Sequence, residues 1–325
     1  MNKVEYVSIP YVSKPVSRIL YGTAMMPFMM GEDGSELLDG ITALGINTLD
    51  TARNYMESEI SIGNWLEKRG NRDKIVILSK CGHPSDFGRK RVNETDMRKD
   101  LARSLRYLKT DYIDIYLLHR DDPEVPAGEI IEIFNAMHEE GKIGAFGGSN
   151  WTAARVLEAN EYAYAHNLVP FSVSSPNFGL ARQVCDLWGG GCVTISGKEN
   201  ELSREWYRRT QMPVVAYSSL ARGFFSGRLK SAESERAPEL LDEYALKGYV
   251  SEDNIERLRR AEILADTKGV TVAQIAVAWI FRQGMNMFAV VSTSSPARMQ
   301  ANIDAEALTL TETECRYLNL DQDVL

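Results

Sequence analysis

Short apolar runs alternate with amphipathic segments along nearly the whole chain. Eight of these runs are four to seven residues long, and most of them are almost continuously apolar, a pattern typical of parallel strands buried on both faces. We therefore predict eight strands from the apolar runs alone. They cover residues 19–22, 47–50, 75–80, 113–119, 143–149, 171–175, 213–217 and 288–292.

The segments between the predicted strands have the periodicity of helices, because apolar side chains recur there every three or four residues. These helical stripes occupy residues 37–45, 95–108, 129–137 and 153–165. The apolar stretch 270–281 predicts a buried helix that is too short to span a bilayer. Eight β/α units in 325 residues favour a (β/α)8 TIM barrel with additional helices, although a doubly wound sheet has the same alternation.

Three segments do not follow this repeat. Residues 4–17 alternate between apolar and polar positions and contain two prolines, which predicts a β-hairpin ahead of the barrel. Residues 183–200 are rich in glycine and polar side chains and predict a long loop. Residues 228–250 are consistent with either a disordered segment or a lid. No low-complexity linker separates these segments, so we expect a single barrel domain over residues 1–325.

The composition narrows the range of partners. A net charge of −8 argues against nucleic acid or an anionic membrane as the main partner. The four cysteines form no C-x-x-C pair and have no metal-ligand spacing, which is typical of reduced thiols in the cytosol. The first residues lack the apolar run of a signal peptide. Together these observations predict a cytoplasmic protein whose main partner is neither nucleic acid nor a membrane.

Reactive side chains follow three of the predicted strands. Asp50, Lys80 and His119 end the second, third and fourth strands, and Tyr55 lies in the loop after Asp50. Each has an ordinary structural use on its own: a helix cap, a surface charge, a hydrogen-bonded imidazole and a loop aromatic. The active sites of (β/α)8 barrels form at the carboxyl ends of the strands. The joint placement of these four side chains therefore predicts a catalytic site.

Five segments in order along the chain resemble motifs of the aldo-keto reductase family. They are residues 45–55 (GINTLDTARNY) continued by Glu59 and Gly63, 77–80 (ILSK), 111–119 (DYIDIYLLH), 141–144 (GKIG) with 148–150 (GSN), and 217–223 (YSSLARG). The resemblance covers essentially the whole chain. It implies a (β/α)8 barrel that reduces an aldehyde or ketone with NADPH.

The resemblance also implies a role for each catalytic residue. Tyr55 would give a proton to the carbonyl oxygen, but a free phenol has a pKa near 10 and is a poor acid at neutral pH. A neighbouring Lys80 ammonium would lower the pKa of Tyr55, and Asp50 would pair with Lys80. His119 would donate a hydrogen bond to the substrate oxygen.

A nicotinamide cofactor is implied by the family and not by a Rossmann motif, because no G-x-G-x-x-G opens a βαβ unit. Ser149 and Asn150 would hold the carboxamide, and Tyr217 would stack on the nicotinamide ring. The segment 290–302 resembles the one that binds the adenosine 2′-phosphate, with Arg298 supplying charge. The full expected set is Gly22, Thr23, Asp50, Ser149, Asn150, Ser175, Tyr217, Ser219, Leu220, Arg222, Ser292, Ser294, Arg298 and Asn302.

NADPH is favoured over NADH because of Arg298. NADH stays possible, since Ser292 stands where many members carry lysine and Ser175 stands where glutamine is common. The expected substrate lining is aromatic, thioether and cationic, and Arg120 could bind a carboxylate or a hydroxyl. It comprises Met25, Met26, Phe87, Arg120, Trp151, Trp188 and Phe224.

Two other functions stay open at this point. The same fold could oxidise a sugar or another alcohol with NADP+, and some proteins that resemble this family are cofactor-binding regulatory subunits. A metal site is not expected, because His83, His119, His138 and His166 show no ligand spacing. The sequence does not indicate an oligomeric state.

Overall fold

All eight apolar runs form strands, and the segment before them forms a hairpin, in the computed structural model, which describes residues 2–325. The hairpin consists of β1 (Tyr6–Val7) and β2 (Val16–Ser17), which pair antiparallel. The barrel strands are β3 (Ile19–Gly22), β4 (Thr48–Asp50), β5 (Val76–Cys81), β6 (Ile113–Leu118), β7 (Ile143–Ser149), β8 (Val173–Ser175), β9 (Val214–Ala216) and β10 (Met287–Val291). Each strand pairs in parallel with the next, and β10 pairs with β3 to close the barrel. The predicted TIM barrel is confirmed, and the doubly wound sheet is excluded.

Apolar side chains fill the barrel interior. Leu20, Val76, Leu78, Ile115 and Phe288 belong to one fully buried cluster. Two further members of that cluster come from the N-terminal segment around the hairpin, Ile9 and Val16. The hairpin precedes β3 and therefore covers the amino-terminal end of the barrel, which leaves the carboxyl-terminal mouth for a ligand.

The helices surround the barrel, and all four predicted stripes are helical. They are α1 (Ser35–Ala43), α2 (Ser58–Arg69), α3 (Glu94–Leu108), α4 (Ala127–Glu139), α5 (Ala153–Ala165), α6 (Glu201–Thr210), α7 (Ala237–Leu240), α8 (Glu243–Tyr249), α9 (Glu252–Lys268), α10 (Val272–Phe281), α11 (Pro296–Glu306) and α12 (Glu312–Leu318). Polar residues begin several of them: the Asn93 side chain accepts the backbone N–H of Asp96, and Thr271 forms a capping box with Gln274.

Gly63 lets α2 pack closely on α3. A Cβ at this position would lie 2.0 Å from the carbonyl oxygen of Tyr107, so any larger residue would push the two helices apart. The glycine noted in the first family motif is therefore explained by helix packing. α2 begins at Ser58, shortly after the loop that carries Tyr55.

The irregular segments adopt two different structures. Residues 183–200 form a long loop, as predicted, with a short 3-10 turn at Lys198–Asn200. Residues 228–250 are ordered: they contain a 3-10 segment (Ser231–Arg236) followed by α7 and α8. Leu229, Ala245 and Tyr249 are fully buried and attach this segment to the core. Disorder is therefore excluded for residues 228–250.

No single helix within residues 2–325 is long and apolar enough to cross a membrane. The consecutive helices α9 and α10 reach that length and apolarity only when taken together, and they meet at an angle of 100°.

Candidate active site

An ion pair between Asp50 and Lys80 lies at the carboxyl ends of β4 and β5. The Lys80 Nζ is 2.5 Å from the Asp50 Oδ1 and also donates to the backbone oxygen of Thr51 at 2.8 Å. Both residues are almost fully buried, with 3% and 5% of their surface exposed for Lys80 and Asp50. A buried ammonium needs such a partner, so Asp50 keeps Lys80 charged inside the site.

Tyr55 and His119 complete the group. The Lys80 Nζ lies 5.0 Å from the centroid of the Tyr55 ring. The rings of Tyr55 and His119 meet edge to face, with centroids 5.7 Å apart. The structure therefore brings together all four side chains that the sequence placed at strand ends.

The Tyr55 loop is held by a second buried carboxylate. Glu59, in the first turn of α2, forms an ion pair with Arg53 and accepts a hydrogen bond from the Ser79 hydroxyl at 2.7 Å. Arg53 and Glu59 flank Tyr55 in sequence, so their contact closes the loop around it. Burial raises the pKa of Glu59, and the Arg53 charge opposes that rise.

Burial and charge act in opposite directions on the pKa of the Tyr55 phenol. Burial raises the pKa of Tyr55, while the Lys80 ammonium lowers it. Lys80 thus acts in the expected direction, but burial outweighs it and the phenol stays protonated at neutral pH. Burial alone would lower the pKa of Lys80, but Asp50 and Tyr55 raise it above its ordinary value, so Lys80 is charged.

His119 is neutral. Burial lowers its pKa well below the ordinary value, and the nearby charges of Lys80 and Arg120 act in the same direction. Among residues 2–325, the buried His119 Nδ1 has no hydrogen-bond partner. A neutral imidazole can donate one hydrogen bond to a substrate oxygen without adding a charge.

Ser149, Asn150, Ser175 and Tyr217 form one hydrogen-bonded group across β7, β8 and the end of β9. The Ser149 hydroxyl donates to the Ser175 carbonyl at 3.0 Å, and the Tyr217 hydroxyl donates to the Asn150 Oδ1 at 2.6 Å. The Asn150 Nδ2 donates to the His119 carbonyl at 3.1 Å. The expected nicotinamide ligands are therefore adjacent to one another and to the catalytic group.

Three of the expected cofactor residues lie between β3, β4 and β10. A Cβ at Gly22 would lie 2.6 Å from the Ser292 Oγ, so only glycine leaves space there. The Thr23 hydroxyl donates to the Asp50 carbonyl at 2.9 Å, and the Ser292 hydroxyl donates to the Gly22 carbonyl at 2.8 Å. Both hydroxyls have protein partners and join the strand ends.

The first turn of α11 presents a cation at the mouth. The Arg298 guanidinium contacts only hydroxyls: its Nε is 3.2 Å from the Thr293 Oγ1 and its Nη2 is 2.9 Å from the Ser294 Oγ. No carboxylate within residues 2–325 forms an ion pair with it. One turn further along α11, the buried Asn302 Oδ1 has no hydrogen-bond donor among these residues. A free cation and an unpartnered buried acceptor are features of a ligand site.

The loop after β9 differs from expectation at Arg222. This guanidinium is paired with Asp242, with the Arg222 Nη2 2.8 Å from the Asp242 Oδ2. Leu220 lies half-buried on the same loop, and the Ser219 hydroxyl donates to the Ala216 carbonyl. Arg228 is a second cation on this loop that the sequence analysis did not name, and it is exposed and has no carboxylate partner within residues 2–325. Its position just past the YSSLARG segment was the available signal.

The expected substrate residues separate into two groups. Arg120 and Trp188 lie at the mouth: Arg120 adjoins His119, and the Trp188 ring meets Tyr217 edge to face at 6.1 Å. Met25 follows β3 and its sulfur accepts from the Tyr21 hydroxyl at 3.6 Å. The Trp151 side chain, by contrast, does not lie at the mouth.

Trp151 is fully buried and packs on Phe171, with ring centroids 5.0 Å apart, and on Arg155 of α5. Its side chain therefore belongs to the layer between barrel and helix and is not brought to the mouth. Phe224 is also fully buried, whereas Phe87 and Met26 are exposed.

Two residues near the catalytic group were not singled out from the sequence as site residues. The His83 ring lies edge to face with His119, with centroids 5.0 Å apart, and burial lowers the pKa of His83. Cys192 lies in the long loop near Tyr217 and Arg120, and burial raises the pKa of its thiol to about 11. The signal for His83 was its position three residues after Lys80; Cys192 had none, because it comes from a distant loop.

A model of the Aldo/keto reductase family matches residues 18–320. The chain belongs to the aldo/keto reductase family. This confirms the resemblance drawn from the five motifs, and it supports oxidoreduction of carbonyl compounds as the activity.

Several curated proteins are similar to this aldo/keto reductase, and each similarity extends over most of both chains. An aryl-alcohol dehydrogenase of Pestalotiopsis microspora is 28% identical over 304 residues, which are 89% of this chain and 72% of the relative. The aldo-keto reductase YhdN of Bacillus subtilis is 26% identical over 332 residues, 97% of this chain and 93% of the relative. A Schizosaccharomyces pombe protein assigned by name to the beta subunits of voltage-gated potassium channels is 24% identical, over 81% of this chain and 75% of its own.

Proposed function

We propose that this aldo/keto reductase reduces an aldehyde or ketone to an alcohol with NADPH, with Tyr55 as the proton donor. The observation that carries the proposal is the buried Lys80–Asp50 ion pair placed against Tyr55 and His119 at the barrel mouth. Burying a charged pair beside a phenol costs desolvation energy, and such pairs cluster at catalytic sites, which favours an enzyme over a protein that only binds a cofactor. The cytoplasm is the proposed location, from composition and cysteine pattern.

The residues at the mouth fit NADPH. The free Arg298 guanidinium and the unpartnered Asn302 oxygen lie on one helix, where a phosphate and an adenine would find a cation and an acceptor. Arg228 offers a second cation without a carboxylate partner within residues 2–325. Gly22 leaves a flat surface between β3 and β10, because a Cβ there would meet Ser292. Ser149, Asn150 and Tyr217 would hold the nicotinamide beside the catalytic group.

The chain's own residues would handle the proton and the substrate oxygen. When bound, the reduced nicotinamide supplies the hydride. Neutral His119 donates a hydrogen bond to the substrate oxygen and orients the carbonyl. Tyr55 donates its proton to that oxygen as negative charge develops, and the Lys80 ammonium stabilises the phenolate that results. Asp50 holds Lys80 in position through the 2.5 Å contact.

Aromatic aldehydes are the first substrates to test, because a relative is named as an aryl-alcohol dehydrogenase. The same residues can work in the opposite direction, since the phenolate of Tyr55 would accept the proton of an alcohol. The ratio of reduced to oxidised cofactor sets the direction in the cell.

The test is to titrate the purified protein with NADPH and to follow carbonyl-dependent loss of the reduced-nicotinamide absorbance with benzaldehydes, aliphatic aldehydes and keto-sugars. We expect binding and turnover. Tight binding without turnover across the panel would contradict the enzymatic proposal and support a regulatory subunit. No binding of either NADPH or NADH would contradict the cofactor assignment itself.

Arg298→Ala is expected to raise the Kd for NADPH by about tenfold to a hundredfold and to leave the Kd for NADH within about threefold, because only NADPH carries the 2′-phosphate. Fluorescence titration with both cofactors measures this. Arg316→Ala is the matched control, since Arg316 lies in the last turn of α12, away from the strand ends. An equal loss of affinity for both cofactors would show that Arg298 does not contact the 2′-phosphate.

A further inference from the structure

Arg120 is a buried cation for which the protein supplies no counter-charge. Only 8% of its surface is exposed. Its Nη1 donates to the His119 carbonyl at 3.0 Å, and no other acceptor within residues 2–325 bonds to its guanidinium. No carboxylate in that range forms an ion pair with it.

The carboxylates nearest to Arg120 in sequence are engaged elsewhere. Asp121 pairs with Arg155, with the Asp121 Oδ2 3.2 Å from the Arg155 Nε. Asp122 pairs with Lys90, with the two charged atoms 2.7 Å apart. The acidic residues that follow Arg120 in the sequence therefore pair with other cations and not with Arg120.

The long loop 183–200 closes over Arg120 from the other side. A Cβ at Gly191 would lie 3.8 Å from the Arg120 Cδ, so this loop packs on the arginine side chain. The one acidic residue of this loop that lies beside Trp188, Asp186, is exposed and accepts the backbone N–H groups of Trp188 and Cys192 at 3.2 and 2.9 Å. It thus orders the loop, and no hydrogen bond or ion pair joins it to Arg120.

Arg120 is also close to the reacting groups. It follows His119 directly, and its charge acts on both His119 and Tyr55. The cations suited to the cofactor phosphates lie on another part of the rim: Arg228 follows β9, and Arg298 lies in the first turn of α11, after β10. A negative charge next to Arg120 would therefore belong to the substrate.

We infer that the substrate of this enzyme carries a carboxylate, which the buried Arg120 guanidinium binds while the carbonyl lies between Tyr55 and His119. The inference rests on the proposed reductase function and names its substrate class. A guanidinium presents parallel N–H donors that match the two oxygens of a carboxylate. Burial strengthens this contact because water does not compete for the charge.

The test compares matched aldehydes that differ only in the carboxylate: benzaldehyde against 2-, 3- and 4-carboxybenzaldehyde, and butanal against succinic semialdehyde. We expect kcat/KM in the wild type to be about tenfold or more higher for at least one carboxylated member of a pair, mainly through KM. Arg120→Met should reduce that ratio by about tenfold or more, and Arg120→Lys should keep part of it. Arg209→Met is the matched control, because Arg209 is an exposed arginine at the end of α6, on the amino-terminal side of the barrel.

The two proposals fail in different ways. Reduction of benzaldehyde with no preference for any carboxylated partner, or a preference that Arg120→Met leaves unchanged, would keep the reductase function and overturn the carboxylate site. A second readout does not depend on turnover: calorimetric binding of benzoate and succinate to the wild type and to Arg120→Met. Binding that Arg120→Met abolishes would support the site even if no aldehyde is reduced, and binding that is absent or equal in both proteins would overturn it.

Discussion

Tyr55→Phe is expected to lower kcat/KM for carbonyl reduction by about a thousandfold or more, because the variant loses both the general acid and a hydrogen bond to the developing oxyanion. The phenyl ring keeps the edge-to-face contact with His119, so the fold and the pocket shape should be retained. Apart from Asp50, the expected cofactor ligands lie on other strands, and the Kd for NADPH should therefore stay within about threefold of the wild type.

Steady-state kinetics and fluorescence titration measure the two quantities separately. Tyr116→Phe is the control, because Tyr116 is a fully buried tyrosine on β6 whose ring packs on Phe134 in the helix layer. It also removes one buried hydroxyl, but away from the mouth. Turnover near the wild-type rate in Tyr55→Phe would show that another group donates the proton.

Lys80→Met is expected to reduce kcat/KM by about a hundredfold to ten-thousandfold, because Tyr55 loses the cation that stabilises its phenolate. It should also lower the free energy of unfolding at neutral pH by about 3 kcal/mol or more, because Asp50 is left buried without its partner. The double variant Asp50→Asn/Lys80→Met should regain much of this stability and no activity. An active Lys80→Met protein would contradict the role of Lys80.

The stability of Lys80→Met should depend on pH in a defined direction. Burial raises the pKa of Asp50 even in the wild type, where Lys80 opposes that rise. Without Lys80 the folded-state pKa rises further, so the folded protein keeps the proton while unfolded Asp50 loses it above a pH of about 4. The melting temperature of Lys80→Met should therefore fall between pH 5 and pH 8 more than that of the wild type. In the double variant the additional slope should disappear.

The order of the apolar runs predicted most of the fold. A parallel strand buried on both faces is mostly apolar, so most of the eight barrel strands are visible in the sequence as apolar runs without any tertiary information. The predicted ends were displaced by at most two residues, for example at β8, which begins at Val173 and not at residue 171. The segment 228–250 could not be interpreted in this way, because its order depends on Leu229, Ala245 and Tyr249 packing on distant elements.

At Trp151 the residue type and its position in the sequence predicted a substrate contact that the structure does not show. An aromatic residue directly after a strand of the barrel suggested a substrate contact, yet its ring packs between Phe171 and Arg155 in the outer layer. A strand end gives the position of the backbone but not the direction of the side chain that follows it. Conversely, the sequence analysis named His83 only among the histidines that lack metal-ligand spacing, although its ring contacts His119.

The sequence by itself favoured the barrel and determined which strand ends carry Asp50, Lys80 and His119, because strand order in a parallel barrel follows chain order. Only the tertiary structure decided which charged side chains form ion pairs. It pairs Lys80 with Asp50 and Arg222 with Asp242, directs Asp121 and Asp122 to other cations, and leaves Arg120 buried without a partner. Ion pairing depends on distances of a few ångströms between side chains that are far apart in the chain, and these distances are set when the loops pack over the mouth.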